Sequence, residues 1–464
     1  MTEASGLAGA LMVRLGERLR ELWGPDVEVT GVRQLSGGAS RESWDIEVAT
    51  AGGARRRLVL LRDADGRVRD DDRSVLAEAA AMIAARKAGV PVAELHDYGA
   101  GALGQAYLLM DHLDGETIPR RLLRDEAYAA IRPRLAYRLG EVLARIHHVD
   151  PGVVAGLPRH DALGQLTGMY SAYGEPRPAI EIGLRWLTEH QPAPVADTLV
   201  HGDFRTGNLM IAPEGLHGVL DWELVHRGDP RQDLGWLCTK AWRFGSPLAV
   251  GGFGERADLM AGYAAAGGIP PDDATQRWWE LYGTVYWGLI CRRQAERHLS
   301  GTEPSVELAV LGRRVCEQEY DILLALDYAA PLAVTDVLEG EPAPPVPPHD
   351  RPTGSELLRA VREFLATELG SGQDSTIDPR LRFHLRVAAN ALRIAEREAL
   401  LGPGRARRHA ERLAALGCAD DAALCAAIRD GSLDHRFGDV AEAVRAAAVD
   451  KLTVANPRHL AQPG

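Results

Sequence analysis

The stretch of sequence that decides the fold has two parts. Residues 199–211 read LVHGDFRTGNLMI, and residues 218–223 read GVLDWE. Hydrophobic runs flank both parts, and such runs are typical of short strands joined by loops. Asp203 and Asn208 therefore share one loop, while Asp221 ends the strand that follows it.

This order and spacing resemble the His-Gly-Asp catalytic loop and the next Asp-containing strand of the aminoglycoside phosphotransferase and choline kinase families, relatives of the protein kinases. The resemblance implies a magnesium-dependent kinase that moves the γ-phosphate of ATP or GTP to a small-molecule hydroxyl. Asp203 would orient and deprotonate that hydroxyl, and Asn208 and Asp221 would hold Mg²⁺. The tripeptide His201-Gly202-Asp203 alone is equally an ordinary turn, but the spacing of the other two residues favours the kinase interpretation.

A glycine-rich turn and a predicted link between lobes complete the nucleotide site that the resemblance implies. Ser36, Gly37 and Gly38 lie where these families place the loop over the phosphates, and glycines let backbone N–H groups approach an anion. An ordinary turn between strands is the alternative. Met110 would lie beside the adenine at the link between lobes, and it is equally suited to the core.

Kinases of this type also need a third-strand cation that is paired with a carboxylate on the next helix. Lys87, the only lysine of this region, lies near the end of the predicted helix rather than on a strand. Arg62, which ends the run LVLLR, is the predicted substitute, because arginine binds two phosphate oxygens and keeps its charge. Glu78 is the predicted helix carboxylate. The register of this strand is open by one residue, because Leu61 occupies the position that would first be matched to the usual strand lysine. A solvated strand end is the alternative role for Arg62.

Hydrophobic periodicity predicts the α+β class with an additional all-α C-terminal domain, and the resemblance implies a bilobal protein-kinase-like fold. Alternation through 27–61 and at 106–110, with a helix at 72–88, predicts a small antiparallel sheet lobe. A mainly helical lobe is predicted from longer periodic segments at 128–148, 272–297 and 305–328.

Composition divides the chain into three predicted parts. The phosphotransferase domain spans 1–330, with its small lobe at about 25–110 and its helical lobe at about 111–330. Residues 331–352 are rich in proline and predict a semi-rigid linker. Residues 353–464 show helix patterns alone and resemble a bacterial helical domain of undefined function. Those patterns fall at 355–369, 379–401, 406–416, 421–430 and 438–454.

Bulk composition excludes several classes of function. The formal net charge is −12, so the concentrated basic surface that nucleic-acid binding requires is not expected. The five cysteines are scattered without a CxxC pair, which predicts neither a disulfide framework nor a zinc site. No run is apolar enough for a signal peptide or a membrane span, so a cytoplasmic protein without a membrane partner is expected.

The phosphate acceptor stays open at the level of sequence. A hydroxyl on an antibiotic, a choline-like amine, a sugar or a hydroxyacyl thioester fits the resemblance, and the LVLLR and LDWE runs look most like kinase domains associated with acyl-CoA dehydrogenases. Two alternatives remain: a catalytically inactive nucleotide-binding scaffold, which would explain the missing strand lysine, and a hydrolase that uses Asp203 on water. A homodimer is an open option for the assembly.

Overall fold

The computed structural model describes residues 2–35, 41–50, 52–63, 73–333, 352–370 and 378–464. The chain divides into two compact units. The first contains Met1–His160, Pro194–Cys238 and Leu248–Pro271, and the second contains Asp161–Ala193, Thr239–Pro247 and Asp272–Gly464. Each unit is assembled from segments far apart in sequence, so tertiary contacts rather than chain continuity hold it together.

The helices and strands follow the predicted order, with sheet first and helix after. The strands are β1 (Glu28–Gln34), β2 (Glu42–Ala49), β3 (Arg55–Arg62), β4 (Leu95–Ala100), β5 (Ala106–Asp111), β6 (Thr198–Val200), β7 (Leu209–Ala212), β8 (Gly215–Val219) and β9 (His226–Gly228). The helices are α1 (Thr2–Trp23), α2 (Arg73–Lys87), α3 (Pro119–Arg124), α4 (Arg132–His147), α5 (Ala162–Tyr173), α6 (Pro178–Glu189), α7 (Arg231–Cys238), α8 (Arg256–Ala265), α9 (Asp273–Leu299), α10 (Val306–Leu311), α11 (Val315–Ala325), α12 (Gly354–Gly370), α13 (Pro379–Ala415), α14 (Asp421–Asp430) and α15 (Phe437–Ala455). Among the described helices, none has the length and apolar character needed to cross a bilayer.

The first unit is built on a five-stranded antiparallel sheet with the strand order β1-β2-β3-β5-β4. Side chains of a strand alternate between its two faces, so each strand contributes to two layers. One face carries Trp44 of β2 with Leu58 and Leu60 of β3, which pack against leucines of α1. Leu61 lies on the opposite face and packs against the core that contains α2. The sheet is thus a layer between two helices.

Helices α4 and α8 of the first unit approach each other so closely that their backbones touch. Gly140 of α4 and Gly262 of α8 lie at the crossing, and a Cβ atom added to Gly262 would overlap the carbonyl oxygen of Tyr137. Any larger residue must push the helices apart. The contact also places the Tyr263 hydroxyl 2.8 Å from Nδ1 of His147.

The second unit is helical, and α9 ties its N-terminal helices together. Trp278 of α9 donates its indole N–H to the carbonyl of Leu187 on α6 at 2.9 Å. Tyr282, one turn further along α9, donates its hydroxyl to Gln165 on α5 at 2.8 Å. Both aromatic side chains are fully buried, so each combines apolar packing with a satisfied polar atom.

Helix α11 of the second unit carries three buried acidic residues, and the C-terminal helices supply a partner for each. The pairs are Glu317 with Asn456 (2.9 Å), Glu319 with Lys451 (2.9 Å) and Asp321 with His459 (2.8 Å). A buried carboxylate without a partner is costly, so these contacts make the C-terminal helices part of the packing around α11. The domain limits at 1–330, 331–352 and 353–464 stay a prediction.

The predicted α+β class is confirmed, while one predicted break is wrong. The predicted helix patterns at 379–401 and 406–416 leave a break at 402–405, yet α13 runs through these residues, including Pro403. A proline inside a helix removes one backbone hydrogen bond, a loss that tertiary packing can offset. Here Ile394 and Leu413, on either side of the proline, are both buried, and the burial keeps the helix continuous.

Candidate functional site

The loop between β6 and β7 carries Asp203 and Asn208. It leaves one two-stranded ladder, β6 with β9, and enters another, β7 with β8. Asp233 of α7 accepts hydrogen bonds from the backbone N–H groups of His201, at 2.8 Å, and of Gly202, at 2.9 Å. The carboxylate of Asp233 therefore fixes the start of the loop.

Asp233 is fully buried and is itself held by a histidine. The Nε2 atom of His147 lies 3.2 Å from Oδ2 of Asp233. Burial alone would raise the pKa of Asp233, but the hydrogen bonds from His147 and from the His201 backbone hold that pKa below its ordinary value. A carboxylate that stays charged accepts stronger hydrogen bonds, so the support under the loop is rigid.

The carboxylate of Asp203 is half-buried and points into a set of donors. Oδ1 accepts hydrogen bonds from Trp236 Nε1, at 2.8 Å, and from Arg205 Nε, at 3.0 Å. Oδ2 accepts one from Asn208 Nδ2 at 2.6 Å. Because the amide nitrogen of Asn208 is engaged with Asp203, its Oδ1 atom is directed elsewhere, and within the described residues it accepts no hydrogen bond. That oxygen is free to meet a ligand.

Asp221 follows β8 in a strained backbone conformation. Its φ angle is 62°, in the left-handed region that non-glycine residues rarely adopt and that is concentrated at functional sites. The backbone N–H of Leu220 donates to the Asn208 carbonyl at 2.9 Å, which joins this turn to the loop. His201 makes a second link, because its Nε2 lies 3.0 Å from the Leu220 carbonyl oxygen. The loop and the turn form one connected site.

Negative charge accumulates around Asp221. Desolvation by the surrounding protein, together with the charges of Glu223, Asp203 and Glu78, raises the pKa of Asp221 to about 7. Its side chain keeps an accessible surface, and within the described residues its carboxylate has no hydrogen-bond or ion-pair partner. A cation placed there would offset the repulsion between these carboxylates.

The site fits Mg²⁺ better than a metal that needs a full set of protein ligands. The described residues contain no group of three or more His, Cys, Asp or Glu side chains arranged for a metal. Mg²⁺ prefers oxygen ligands and commonly takes one or two from the protein, with phosphate and water supplying the others. The free oxygen of Asn208 and the carboxylate of Asp221 match that pattern, so the donor set is compatible with a nucleotide-bound Mg²⁺.

Glu78 of α2 is buried and forms an ion pair with an arginine for which the sequence predicted no role. Arg41, just before β2, donates from Nη1 to Oε1 of Glu78 at 2.9 Å and from Nη2 to Oε2 at 2.5 Å. Its Nε also reaches Oδ1 of Asp63 at 3.3 Å. The helix carboxylate predicted for Glu78 thus has its cation in this structure, contributed by Arg41.

Arg62 lies on the other face of the sheet. It is the cross-strand neighbour of Glu42 in the β2–β3 ladder, and its Nη2 lies 3.1 Å from Oε2 of that residue. Its Nη1 also donates to the Leu103 carbonyl at 3.4 Å. Because side chains alternate along β3, Arg62 shares its face with Leu58 and Leu60, which pack against α1. A nucleotide role for Arg62 stays a prediction.

The remaining predicted nucleotide contacts have different outcomes. Ser36, Gly37 and Gly38 lie outside the described residues. Met110 is buried at the end of β5, where it pairs with Val59 of β3 and belongs to the core that contains α2. The structure therefore shows the core role of Met110, and its contact with adenine stays a prediction.

Fold and site together define a class, the phosphotransferases with a protein-kinase-like architecture. A family model described as "Phosphotransferase enzyme family" (APH) matches residues 31–278, more than half of the chain. The chain belongs to this family. A second model, "Domain of unknown function (DUF6285)", matches residues 375–459. The predicted family, the enzyme class of small-molecule kinase and the resemblance of the C-terminal helices are confirmed.

Similar proteins agree with this membership. The chain is 28% identical over 277 residues to acyl-CoA dehydrogenase family member 10 of Mus musculus, covering 54% of this chain and 24% of that protein. It is 28% identical over 240 residues to acyl-CoA dehydrogenase family member 11 of Gallus gallus, covering 48% of this chain and 30% of that protein. The chain thus spans about a quarter to a third of the length of these curated relatives.

A solved structure shows the same fold. A protein from Ralstonia eutropha, provisionally assigned as an aminoglycoside phosphotransferase, superposes with a TM-score of 0.52 at 22% identity. The superposition covers 68% of this chain and 98% of that chain. The predicted kinase-like fold is confirmed on this ground.

Two residues of the site were not among the predicted site residues. Trp236 donates to Asp203 across 33 positions, and only the folded chain brings the two residues together. For Arg41, the alternation of side chains along β2 could have indicated which way it faces. Trp44, Ile46 and Val48 alternate as the apolar face of β2, so an odd-numbered residue before them must point to the opposite face.

Proposed function

We propose that this chain transfers the γ-phosphate of ATP or GTP to a hydroxyl of a small molecule, with Mg²⁺ bound by Asn208 and Asp221. One observation carries the proposal: Asp203, Asn208 and Asp221 belong to one connected site. In it the oxygen of Asn208 and the carboxylate of Asp221 lack partners among the described residues. A bound Mg²⁺ would neutralise charge on the nucleotide phosphates.

Asp203 would act on the acceptor hydroxyl. Its two oxygens already accept hydrogen bonds from Trp236, Arg205 and Asn208, and these donors stabilise the charged carboxylate. Oδ2 accepts one full hydrogen bond, from Asn208, and shares the Arg205 N–H with Oδ1 at 3.2 Å, so Oδ2 can still accept the hydroxyl hydrogen. Asp203 would therefore orient the hydroxyl first and take its proton as the new O–P bond forms and the nucleoside diphosphate leaves.

The acceptor class that we would screen first is the hydroxyacyl thioesters. The support is the similarity to two proteins named as acyl-CoA dehydrogenase family members, a name that points to acyl thioester chemistry around the related domains. Antibiotic and sugar alcohols are the second group to screen, because the solved structure with the same fold is provisionally assigned as an aminoglycoside phosphotransferase.

Paired substitutions test the division of roles. Asp203→Asn should leave Mg²⁺-ATP binding nearly intact and lower phosphate transfer by about 10²- to 10⁴-fold, the range for loss of a general base. Asp221→Ala should remove the magnesium dependence of binding itself. Glu214→Gln, at an exposed turn after β7, is the matched control and should change neither quantity. Calorimetry gives the binding, and nucleoside diphosphate release with each acceptor gives the transfer.

One observation favours a second candidate, an inactive nucleotide-binding scaffold. Leu61, not lysine, occupies the position of β3 that faces α2. On that account, nucleotide would bind and no acceptor would yield nucleoside diphosphate. Equal loss of binding in the Asp203→Asn and Asp221→Ala variants would contradict the role division on either account.

A further inference from the structure

Arg41 lies between a strand and a helix in the part of the sheet that faces the site. The sheet contributes Asp63, at the end of β3, and α2 contributes Glu78; both carboxylates are buried. Arg41 bonds to both, and its own side chain is 7% exposed. An arginine so enclosed has a single orientation, because both of its partners are on rigid elements.

This pair adjoins the candidate metal site. The residues that flank Glu78 on α2, Ala77 and Ala79, share one hydrophobic core with Trp222, the neighbour of Asp221. The charge of Glu78 acts on Asp221, and that of Glu223 acts on both Asp221 and Arg41, as expected for charged groups in one region of the protein. The Arg41 guanidinium is therefore close to where a nucleotide held by Asp221 would place its phosphates.

The Arg41 guanidinium has N–H donors that Asp63 and Glu78 do not use. Arginine carries five N–H donors, and the hydrogen bonds to Asp63 and Glu78 use three of them within the described residues. Two remain, one on Nη1 and one on Nη2, and each can donate to one phosphate oxygen. The Glu78 carboxylate holds the group in place, as the helix carboxylate of protein kinases holds the strand lysine.

We propose that Arg41, positioned by Glu78, is the cation that binds the nucleotide phosphates in this chain. The proposal rests on the proposed phosphotransferase function and goes beyond it by naming a phosphate ligand just before β2. The role of binding the phosphates thus belongs to Arg41, just before β2, and not to a residue of β3. Arg62 then has a structural role, closing the sheet against Glu42 and Leu103 on the α1 side.

The alternative is that Arg41 is a clamp that only joins sheet to helix. A clamp would influence all ligands of the site equally, whereas a phosphate ligand should distinguish ligands by their phosphates. Mg²⁺-ATP and adenosine therefore form the decisive pair of probes, since both contain the base and ribose and only one contains phosphates.

Because a simple Arg41→Met change would remove one cation from two buried carboxylates, the variant to measure is Arg41→Met combined with Glu78→Gln. Arg41→Lys is the conservative variant, and Glu78→Gln alone tests the positioning role. Arg33→Met is the matched control: Arg33 is a largely exposed arginine of the same sheet that pairs with Asp45. Thermal unfolding of each variant confirms that the protein is folded before calorimetric titration.

The proposal predicts that the Arg41→Met/Glu78→Gln protein binds Mg²⁺-ATP about 10- to 100-fold more weakly, the loss expected for a charged hydrogen bond. Adenosine affinity should stay within about twofold of the unmodified protein, well below the tenfold step that a lost contact of 1.4 kcal/mol would give. Arg41→Lys should recover part of the ATP affinity, Glu78→Gln should lose less than the double variant, and Arg33→Met should match the unmodified chain.

Equal weakening for ATP and adenosine would overturn the proposal in favour of a clamp, and unchanged ATP binding would overturn it outright. A selective loss of ATP affinity in Arg62→Met, with none in the double variant, would assign the phosphates to Arg62. If the unmodified protein bound neither Mg²⁺-ATP nor Mg²⁺-GTP, the proposed function itself would fail along with this role. The two failures are therefore distinguishable.

Discussion

Replacing Lys451 with methionine tests whether the C-terminal helices stabilise α11. Lys451 on α15 donates to both carboxylate oxygens of Glu319, at 3.1 and 2.9 Å, and Glu319 is 1% exposed. The substitution leaves Glu319 with Arg177, whose Nη1 is 3.3 Å from Oε1. Oε2 would then be a buried charge without a donor among the described residues.

The expected cost follows from the geometry. Hydrogen bonds to charged groups contribute about 1.5–3 kcal/mol. The Lys451 side chain is 35% exposed, and Arg177 remains, so solvent screening places the loss near the lower end, at about 1.5–2 kcal/mol. With an m-value of about 3 kcal/mol/M, the urea midpoint should fall by roughly 0.5 M.

Urea unfolding followed by circular dichroism measures this, with Lys87→Met as the control. Lys87 is exposed at the end of α2 and should give a change within about 0.5 kcal/mol. The double variant Glu319→Gln/Lys451→Met should lose less stability than the sum of the single losses, because the pair is coupled. A midpoint for Lys451→Met equal to that of the control would refute the reasoning.

Three further expectations concern other parts of the chain. Ending the chain after Pro352 removes the C-terminal partner of each of the three buried carboxylates of α11 and leaves them Arg314, Arg177 and Lys240, so the shortened protein should lose more stability than Lys451→Met; an unchanged melting temperature would instead show that the predicted domain at 1–330 is independent. Gly262→Ala should destabilise the first unit by at least about 1–3 kcal/mol in urea titration, because its Cβ would overlap the Tyr137 carbonyl, and Gly438→Ala, with open space around it, is the control. Burial and the neighbouring His226 lower the pKa of His160 to about 4, so the unfolded chain binds more protons than the folded chain between pH 6.5 and 4; stability should fall as pH falls through this window, and His160→Gln should show a shallower fall.

The stretch that carries the candidate site was readable from sequence because its residues are close together in the chain. Asp203 and Asn208 share one loop, and a single hairpin returns Asp221 to them, so local spacing was enough to predict their meeting. The antiparallel sheet was predictable for a similar reason, since β1, β2 and β3 are joined by short connections and alternate in hydrophobicity.

The cation that pairs with Glu78 was harder to predict because the side chains of a strand lie on two opposite faces. A shift of one residue moves a side chain from one face to the other, and the run LVLLR ends with Leu61 facing α2 and Arg62 facing α1. Only the hydrogen bonds in the folded chain show that Arg41 faces Glu78. The sequence shows that side chains alternate along the strand, but it does not show which face of the sheet packs against which helix.

The partners of α11 were beyond sequence reasoning for a different reason. Residues more than 130 positions apart, such as Glu319 and Lys451, meet through packing of the C-terminal helices. The proline-rich composition of 331–352 predicted a boundary, but composition does not report what the helices beyond it contact. The continuity of α13 through Pro403 is likewise set by burial on both sides of the proline.

The measurement that tests the central claim most directly is calorimetric titration of the full chain with ATP and with GTP, with and without Mg²⁺, repeated on Asp221→Ala. A phosphotransferase site built on Asp203, Asn208 and Asp221 predicts magnesium-dependent binding of at least one nucleotide and loss of that dependence in the variant. Absence of nucleotide binding in the unmodified chain, or binding that is indifferent to both Mg²⁺ and Asp221, would contradict it.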